Sequence, residues 1–162
     1  MNTDLMFSSK TDMWSTPQKF YDELNKEFNF NLDPCSTHNN AKCQKYFTID
    51  DNGLNQDWQG HTVFCNPPYG RVLKEWVQKS YEESLKSNTK VVMLIPARTD
   101  TKYQHEFIFS HAKAVLFLKG RLRFGTCKNS APFPSQLVIY SDSITLTQIQ
   151  LLKKYGYLII LR

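Results

Sequence analysis

The chain has 162 residues, 41% hydrophobic and 14% aromatic, which is enough for one domain with a core and too apolar for a disordered polymer. A net charge of +5 and a pI of about 9.0 favour a polyanionic partner. Cys35, Cys43, Cys65 and Cys127 form no Cys-x-x-Cys pair, no apolar run approaches a membrane span and the polar N-terminus lacks the pattern of a signal peptide, so no metal and no membrane partner are expected, and a cytoplasmic setting is.

Residues 1–13 are polar and unpatterned and are expected to be a mobile tail, with a single domain over 14–162. Thr16-Pro17 has the form of a helix start, with Thr as N-cap and Pro at the first helical position; Phe20, Tyr21, Leu24 and Phe28 then share one helical face. Residues 28–33 alternate like a strand and end in Asp33-Pro34-Cys35-Ser36. A short strand at 45–49 leads into the turn Asp50-Asp51-Asn52-Gly53. Asp50 or Asp51 stands where an acid after the second strand of a dinucleotide fold meets ribose hydroxyls, although a solvated turn has the same letters.

Thr62 to Cys65 is a buried-type strand that stops abruptly at Asn66-Pro67-Pro68-Tyr69. Each proline forces the preceding residue to be extended, so Asn66 and Pro67 stand rigidly at a carboxyl strand end, where open α/β sheets bind ligands. The Asn66 side-chain oxygen and the Pro67 carbonyl are two neighbouring acceptors, suited to the two hydrogens of an exocyclic amine. Holding both hydrogens draws the nitrogen out of conjugation and frees its lone pair. Tyr69 offers a face for the planar ring that carries the amine. As bare letters, Asn-Pro-Pro-Tyr is equally a turn.

Leu73, Trp76, Val77 and Tyr81 lie at helical spacing. Residues 90–95 read as a central strand ending at Pro96-Ala97-Arg98, and Tyr103, Phe107 and Ile108 mark a further helix. His105 and His111 read as structural or surface groups. Strands follow at 114–118 and 136–140, then a helix at 145–154 and a strand at 157–161. Between the first two of these strands, Arg121 and Arg123 fall on one side of an extended Gly120–Gly125 segment, positioned either to grip phosphates or a base edge, or as solvated charges of a hairpin.

Asn66-Pro67-Pro68-Tyr69 matches the catalytic (Asp/Asn/Ser)-Pro-Pro-(Tyr/Phe/Trp) motif of amino-methyltransferases that use S-adenosylmethionine. The wider pattern resembles the phage and prophage Dam-type DNA adenine-N6 methyltransferases. Its pieces run in family order: Trp14-Ser15-Thr16-Pro17, Leu32 to Ser36, Gly53 to Trp58, the Asn-Pro-Pro-Tyr, Pro96 to Thr101, Gly120 to Gly125 and Ala131 to Ser135. The resemblance implies that Asn66, Pro67, Pro68 and Tyr69 are catalytic and that Thr16-Pro17 contacts the methionine end of the cofactor. It implies that Asp33-Pro34-Cys35 begins a shortened form of the Asp-Pro-Phe-x-Gly-x-Gly cofactor loop, here without glycines. It further implies that Asp57 accepts from the cofactor adenine while Trp58 packs beside that ring. Arg98, Arg121 and Arg123 are the residues expected to meet DNA, Arg121 and Arg123 by their spacing and the basic balance of the chain.

The expected fold is α/β, a compact Rossmann-like domain with a mostly parallel sheet and a C-terminal hairpin. The expected function is methyl transfer from S-adenosylmethionine to the N6 of a flipped adenine in DNA, located in the host cytoplasm if the chain is phage-encoded. Two alternatives stay open: the same chemistry on cytosine N4, an RNA base or a protein glutamine, and a non-catalytic DNA-binding protein of the same fold.

Overall fold

The computed structural model describes residues 14–162; the tail expected over 1–13 lies outside the described residues. Helix α1 (Gln18–Phe28) comes first, with Phe20, Tyr21, Leu24 and Phe28 buried along one face. Pro17, not Thr16, is its cap residue, and no side chain caps the helix; the Pro17 carbonyl accepts from Tyr21 N at 3.0 Å. The Thr16 hydroxyl instead serves Asn66. Asn29 adopts a left-handed conformation with φ 56° and ends the helix.

Five strands make one sheet: β1 (Thr62–Cys65), β2 (Lys90–Pro96), β3 (Ala114–Leu118), β4 (Ser135–Tyr140) and β5 (Gly156–Ile160), in the spatial order β1-β2-β4-β3-β5. Only β1 and β2 pair in parallel; the pairs β2–β4, β4–β3 and β3–β5 are antiparallel. The sheet is therefore mixed, which corrects the expectation of a mostly parallel one. The cause is local. Residues 119–134 contain no helix, and without a crossover helix a strand returns antiparallel. β4 therefore turns back from β3 and inserts between β2 and β3, so β1, β2 and β3 keep a common direction while their pairing is interrupted.

The strands expected at 28–33 and 45–49 shrink to single parallel bridges, Leu32 to Val63 and Asp33 to Tyr46. Backbone bonds still align them: Phe64 N donates to the Leu32 carbonyl at 3.0 Å, and Phe47 N to that of Asp33 at 2.9 Å.

Alternate residues of β2 explain its unbroken apolar run. Val92 and Leu94 pack with Phe20 and Leu24 of α1 and with Leu152 of α3 (Leu146–Lys153) on one face. Val91, Met93 and Ile95 pack with Trp76 and Val77 of α2 (Leu73–Ser84) and with Ile108 of a π-helix (Gln104–Phe109) on the other. A strand covered on both faces needs apolar side chains at every position. No helix among the described residues is long and apolar enough to cross a membrane.

Candidate active site

β1, β2 and the Leu32–Asp33 segment run parallel, so their carboxyl ends share one edge of the sheet. Just beyond β1, Pro67, Pro68 and Tyr69 are buried and Asn66 is half-buried. The Asn66 side chain is held at both ends. Its Nδ2 donates to the Trp14 carbonyl at 2.7 Å and to Thr16 Oγ1 at 3.1 Å. Its Oδ1 accepts from the Tyr69 hydroxyl at 2.8 Å. That hydroxyl also reaches the Leu94 carbonyl at 3.2 Å, and burial holds its pKa well above the usual phenol range.

Tyr69 is only 7% exposed. Its ring stacks on Trp14 at 6.4 Å and meets Phe133 at 5.5 Å and Phe124 at 6.4 Å edge to face. Trp14 and Phe133 are half-buried, whereas Phe124 is fully enclosed. The open aromatic surface at this corner therefore belongs to Trp14 and Phe133 more than to Tyr69.

A small, open cleft lies beside Asn66, lined by Ser15, Thr16, Asp33, Cys35, Ser36, Asn40, Lys42 and Phe64. The structure brings Thr16, Asp33, Cys35 and Asn66 together on it. Asp33, 5% exposed, folds the loop around its own carboxylate: Oδ1 accepts from Cys35 N at 3.3 Å and Oδ2 from Lys42 N at 3.0 Å. Burial outweighs these two bonds and pushes the Asp33 carboxyl up to about 6. Asn40 locks the next turn, its Oδ1 accepting from Thr37 N at 2.7 Å and its Nδ2 donating to Ser15 Oγ at 3.2 Å. Side-chain bonds of this kind fix the turn without glycines. The Cys35 and Cys65 sulfurs lie 3.8 Å apart beneath the cleft, both as free thiols, and burial raises the Cys35 pKa.

Pro34 marks how the loop is supported from behind. A Cβ on Gly53 would lie 1.9 Å from the Pro34 carbonyl oxygen, so only glycine lets the two backbones touch. The Gly53 carbonyl in turn accepts from Trp58 Nε1 at 3.0 Å. Trp58 is 0% exposed and stacks on Trp76 at 6.3 Å, which leaves no face for a cofactor ring and corrects that expectation: Trp58 braces Gly53, and Gly53 braces Pro34.

Asp57 lies at the amino-terminal edge of β1, opposite the cleft. It is exposed, ion-paired with Lys86 at 2.9 Å, and its carboxyl is held below the usual range by the Gln59 N–H and by Lys86. The structure does not bring Asp57 to Asp33 or Asn66. Asp50 is exposed in the turn after Tyr46, on the cleft's edge of the sheet. Its neighbour Asp51 is engaged by the Thr48 backbone and hydroxyl at 2.8 and 3.1 Å.

Arg98 follows the carboxyl end of β2, and Arg121 and Arg123 follow that of β3, so all three stand on the cleft's edge and all are exposed. Between the last two residues and Gly125, Phe124 is buried against Trp14 and Tyr69, and Gly125 N donates to the Ser15 carbonyl at 2.8 Å. The arginine loop is thus fastened to the corner formed by Trp14, Ser15 and Tyr69. Arg121 Nη1 also donates to the Ala131 carbonyl at 3.3 Å. The groups that sequence reasoning did not assign include Trp14, Ser15, Ser36, Asn40, Lys42, Phe124 and Phe133; of these, Trp14, Ser15, Ser36, Phe124 and Phe133 lie in stretches that carry the family pattern without a role attached to them.

A DNA N-6-adenine-methyltransferase of Haemophilus phage HP1 (strain HP1c1) is 32% identical to this chain over 112 residues, which is 68% of this chain and 64% of that protein. Another protein of that name, from Escherichia phage T1, is 31% identical over 94 residues, 57% of this chain and 39% of that protein. The chain thus spans less than two thirds of the length of either relative. The family model described as DNA N-6-adenine-methyltransferase (Dam) matches residues 4–145, most of the sequence, and the chain belongs to that family.

Proposed function

We propose that the protein transfers a methyl group from S-adenosylmethionine to the N6 amine of adenine in DNA, in the cytoplasm where the DNA lies. The observation that carries this is that Asp33, from the loop expected to take the cofactor, and Asn66, from the motif expected to take the amine, line one cleft at one sheet edge.

The cleft's groups suit the cofactor. Its amino-acid end carries an ammonium and a carboxylate, and the cleft offers the Asp33 carboxylate and Lys42. Among the described residues, Ser36 Oγ is buried without a hydrogen-bond partner, an uncommon cost that a ligand polar group would remove. Asp33, Ser36 and Lys42 are the residues that would hold that end, and Asp50 is available to ribose hydroxyls. When bound, the cofactor supplies an electrophilic methyl group and its sulfur leaves with the bonding pair.

The chain's own residues hold and orient the amine. Asn66 Oδ1 and the Pro67 carbonyl take its two hydrogens, and the half-buried rings of Trp14 and Phe133, beside Tyr69, border the space for a planar base. No histidine is called for, because alignment and fixed acceptors lower the barrier, and the methylated ammonium is acidic enough to give up its extra proton to a neighbouring acceptor or to water. An adenine in a duplex must leave the stack to reach this corner, and Arg98, Arg121 and Arg123 are available to its flanking phosphates.

The test is incubation with isotope-labelled S-adenosylmethionine and unmethylated DNA, followed by nucleoside analysis. Label in N6-methyl-2′-deoxyadenosine is expected. Label in N4-methyl-2′-deoxycytidine, or none, would overturn the assignment.

A further inference from the structure

We propose that the Trp14–Thr16 segment is a positioning clamp that makes Asn66 an acceptor-only group, and so selects targets that present hydrogens. The proposal rests on the amine-methylating function given above and adds to it what decides the direction in which Asn66 faces.

An asparagine amide has a donor end and an acceptor end of nearly equal shape, and its hydrogen-bond partners determine which faces which way. Here the Trp14 backbone carbonyl decides, because it can only accept. It sits 2.7 Å from the amide nitrogen, so an oxygen turned toward it would be repelled. Thr16 Oγ1, 5% exposed, takes the second amide hydrogen at 3.1 Å. Both donors of Asn66 are then consumed. What remains is Oδ1, which accepts from Tyr69 at 2.8 Å and, as a carbonyl oxygen, has a second lone pair.

The clamp is itself anchored. The Trp14 ring is wedged against Tyr69, Phe124 and Phe133, the last two at 5.6 and 5.0 Å. The Ser15 carbonyl accepts from Gly125 N at 2.8 Å, and its hydroxyl accepts from Asn40 at 3.2 Å. The clamp that holds Asn66 is thereby anchored by groups from four separate stretches of chain, at Asn40, at Tyr69, at Phe124 with Gly125, and at Phe133.

The chemical consequence is a filter. An exocyclic amine meets an oxygen that can accept from it. A carbonyl or an unprotonated ring nitrogen in the same place meets no hydrogen from Asn66 and leaves two acceptors facing each other, which costs more than a missing bond. This also gives Thr16 a different role from cofactor contact. Its hydroxyl oxygen accepts from Asn66, so the loss of that acceptor should be felt in the transfer step more than in cofactor affinity.

Thr16→Val keeps the shape and removes the acceptor. Wild type, Thr16→Val, Thr16→Ser and Asn66→Asp would be compared for kcat on DNA and for S-adenosylhomocysteine affinity by calorimetry. Thr16→Val is expected to lower kcat about tenfold, the equivalent of one hydrogen bond, with affinity unchanged within about twofold. Thr16→Ser, which restores the acceptor, should recover most of the rate. Asn66→Asp, which sets an acceptor against the Trp14 carbonyl, should lose transfer while still binding the ligand. A wild-type kcat in Thr16→Val, or weakened affinity with kcat unchanged, would overturn the clamp. If Thr16→Val does not fold, a wild-type rate in Asn66→Asp would overturn it equally. A wild type with no transfer at all would instead count against the function on which the clamp rests.

Discussion

The Tyr69 hydroxyl donates to Asn66 Oδ1 at 2.8 Å, so the last residue of Asn-Pro-Pro-Tyr holds the side chain of the first. The aromatic ring and the amide are coupled groups. Their sequence spacing hides this, since the two prolines between them offer no backbone donor and simply bend the chain back on itself.

Tyr69→Phe is therefore expected to do more than its ring alone suggests. It removes the bond to Asn66 and leaves the buried Leu94 carbonyl without its tyrosine donor. A stability loss of about 1 kcal/mol, with a fall in kcat, is expected from urea unfolding and from methyl-transfer assays. Wild-type values for both would mean that only the ring matters, as the sequence by itself suggests.

On the proposed function, Asp33 should make cofactor binding pH-dependent. Its carboxyl titrates near 6 in the folded protein against an ordinary value of 3.8, so the folded state takes up the proton first. In the free protein this group's contribution to stability is complete below the unfolded value and is lost as pH rises through about 6. The ligand ammonium needs the ionised form and offsets that loss. The rise in melting temperature caused by S-adenosylhomocysteine should therefore be larger at pH 7.5 than at pH 5, and Asp33→Asn should abolish the difference. An equal rise at both pH values in wild type would remove Asp33 from the binding site.

Arg121 and Arg123 are exposed on a loop that Phe124 fastens to Tyr69 and Trp14. Replacing both with Gln should weaken DNA binding and reduce the slope of log affinity against log salt by about 0.9 for each duplex phosphate that is no longer neutralised. Fluorescence titrations at several salt concentrations would measure it. An unchanged slope would return both residues to ordinary solvated charges.

The strand end at residues 66–69 was legible in the sequence because it is local. A buried-type strand stopped by two prolines can end in only a few ways, and β1 with Asn66 to Tyr69 follows that pattern. The mixed sheet was not legible, because the insertion of β4 between β2 and β3 is decided by pairings such as Leu137 with both Leu94 and Leu116, far apart in sequence. Trp58 and Asp57 were misjudged for a related reason. Trp58 is drawn into the core by Trp76 and by Glu83, whose Oε2 accepts from Trp58 N at 2.8 Å, and that turns Asp57 toward Lys86. Lys42 joined the cleft unannounced, since its place follows from a backbone bond to an aspartate nine residues earlier.

The most direct measurement is on Asn66→Ala, with S-adenosylhomocysteine binding by calorimetry and methyl transfer to DNA on the same preparation. Removing the acceptor without touching Asp33 or Lys42 should leave ligand affinity near wild type and lower transfer by about a hundredfold or more, the size of effect seen when one fixed polar group is removed from a transition-state site. Transfer at the wild-type rate would contradict the account, reducing Asn66-Pro67-Pro68-Tyr69 to a turn at the end of a strand.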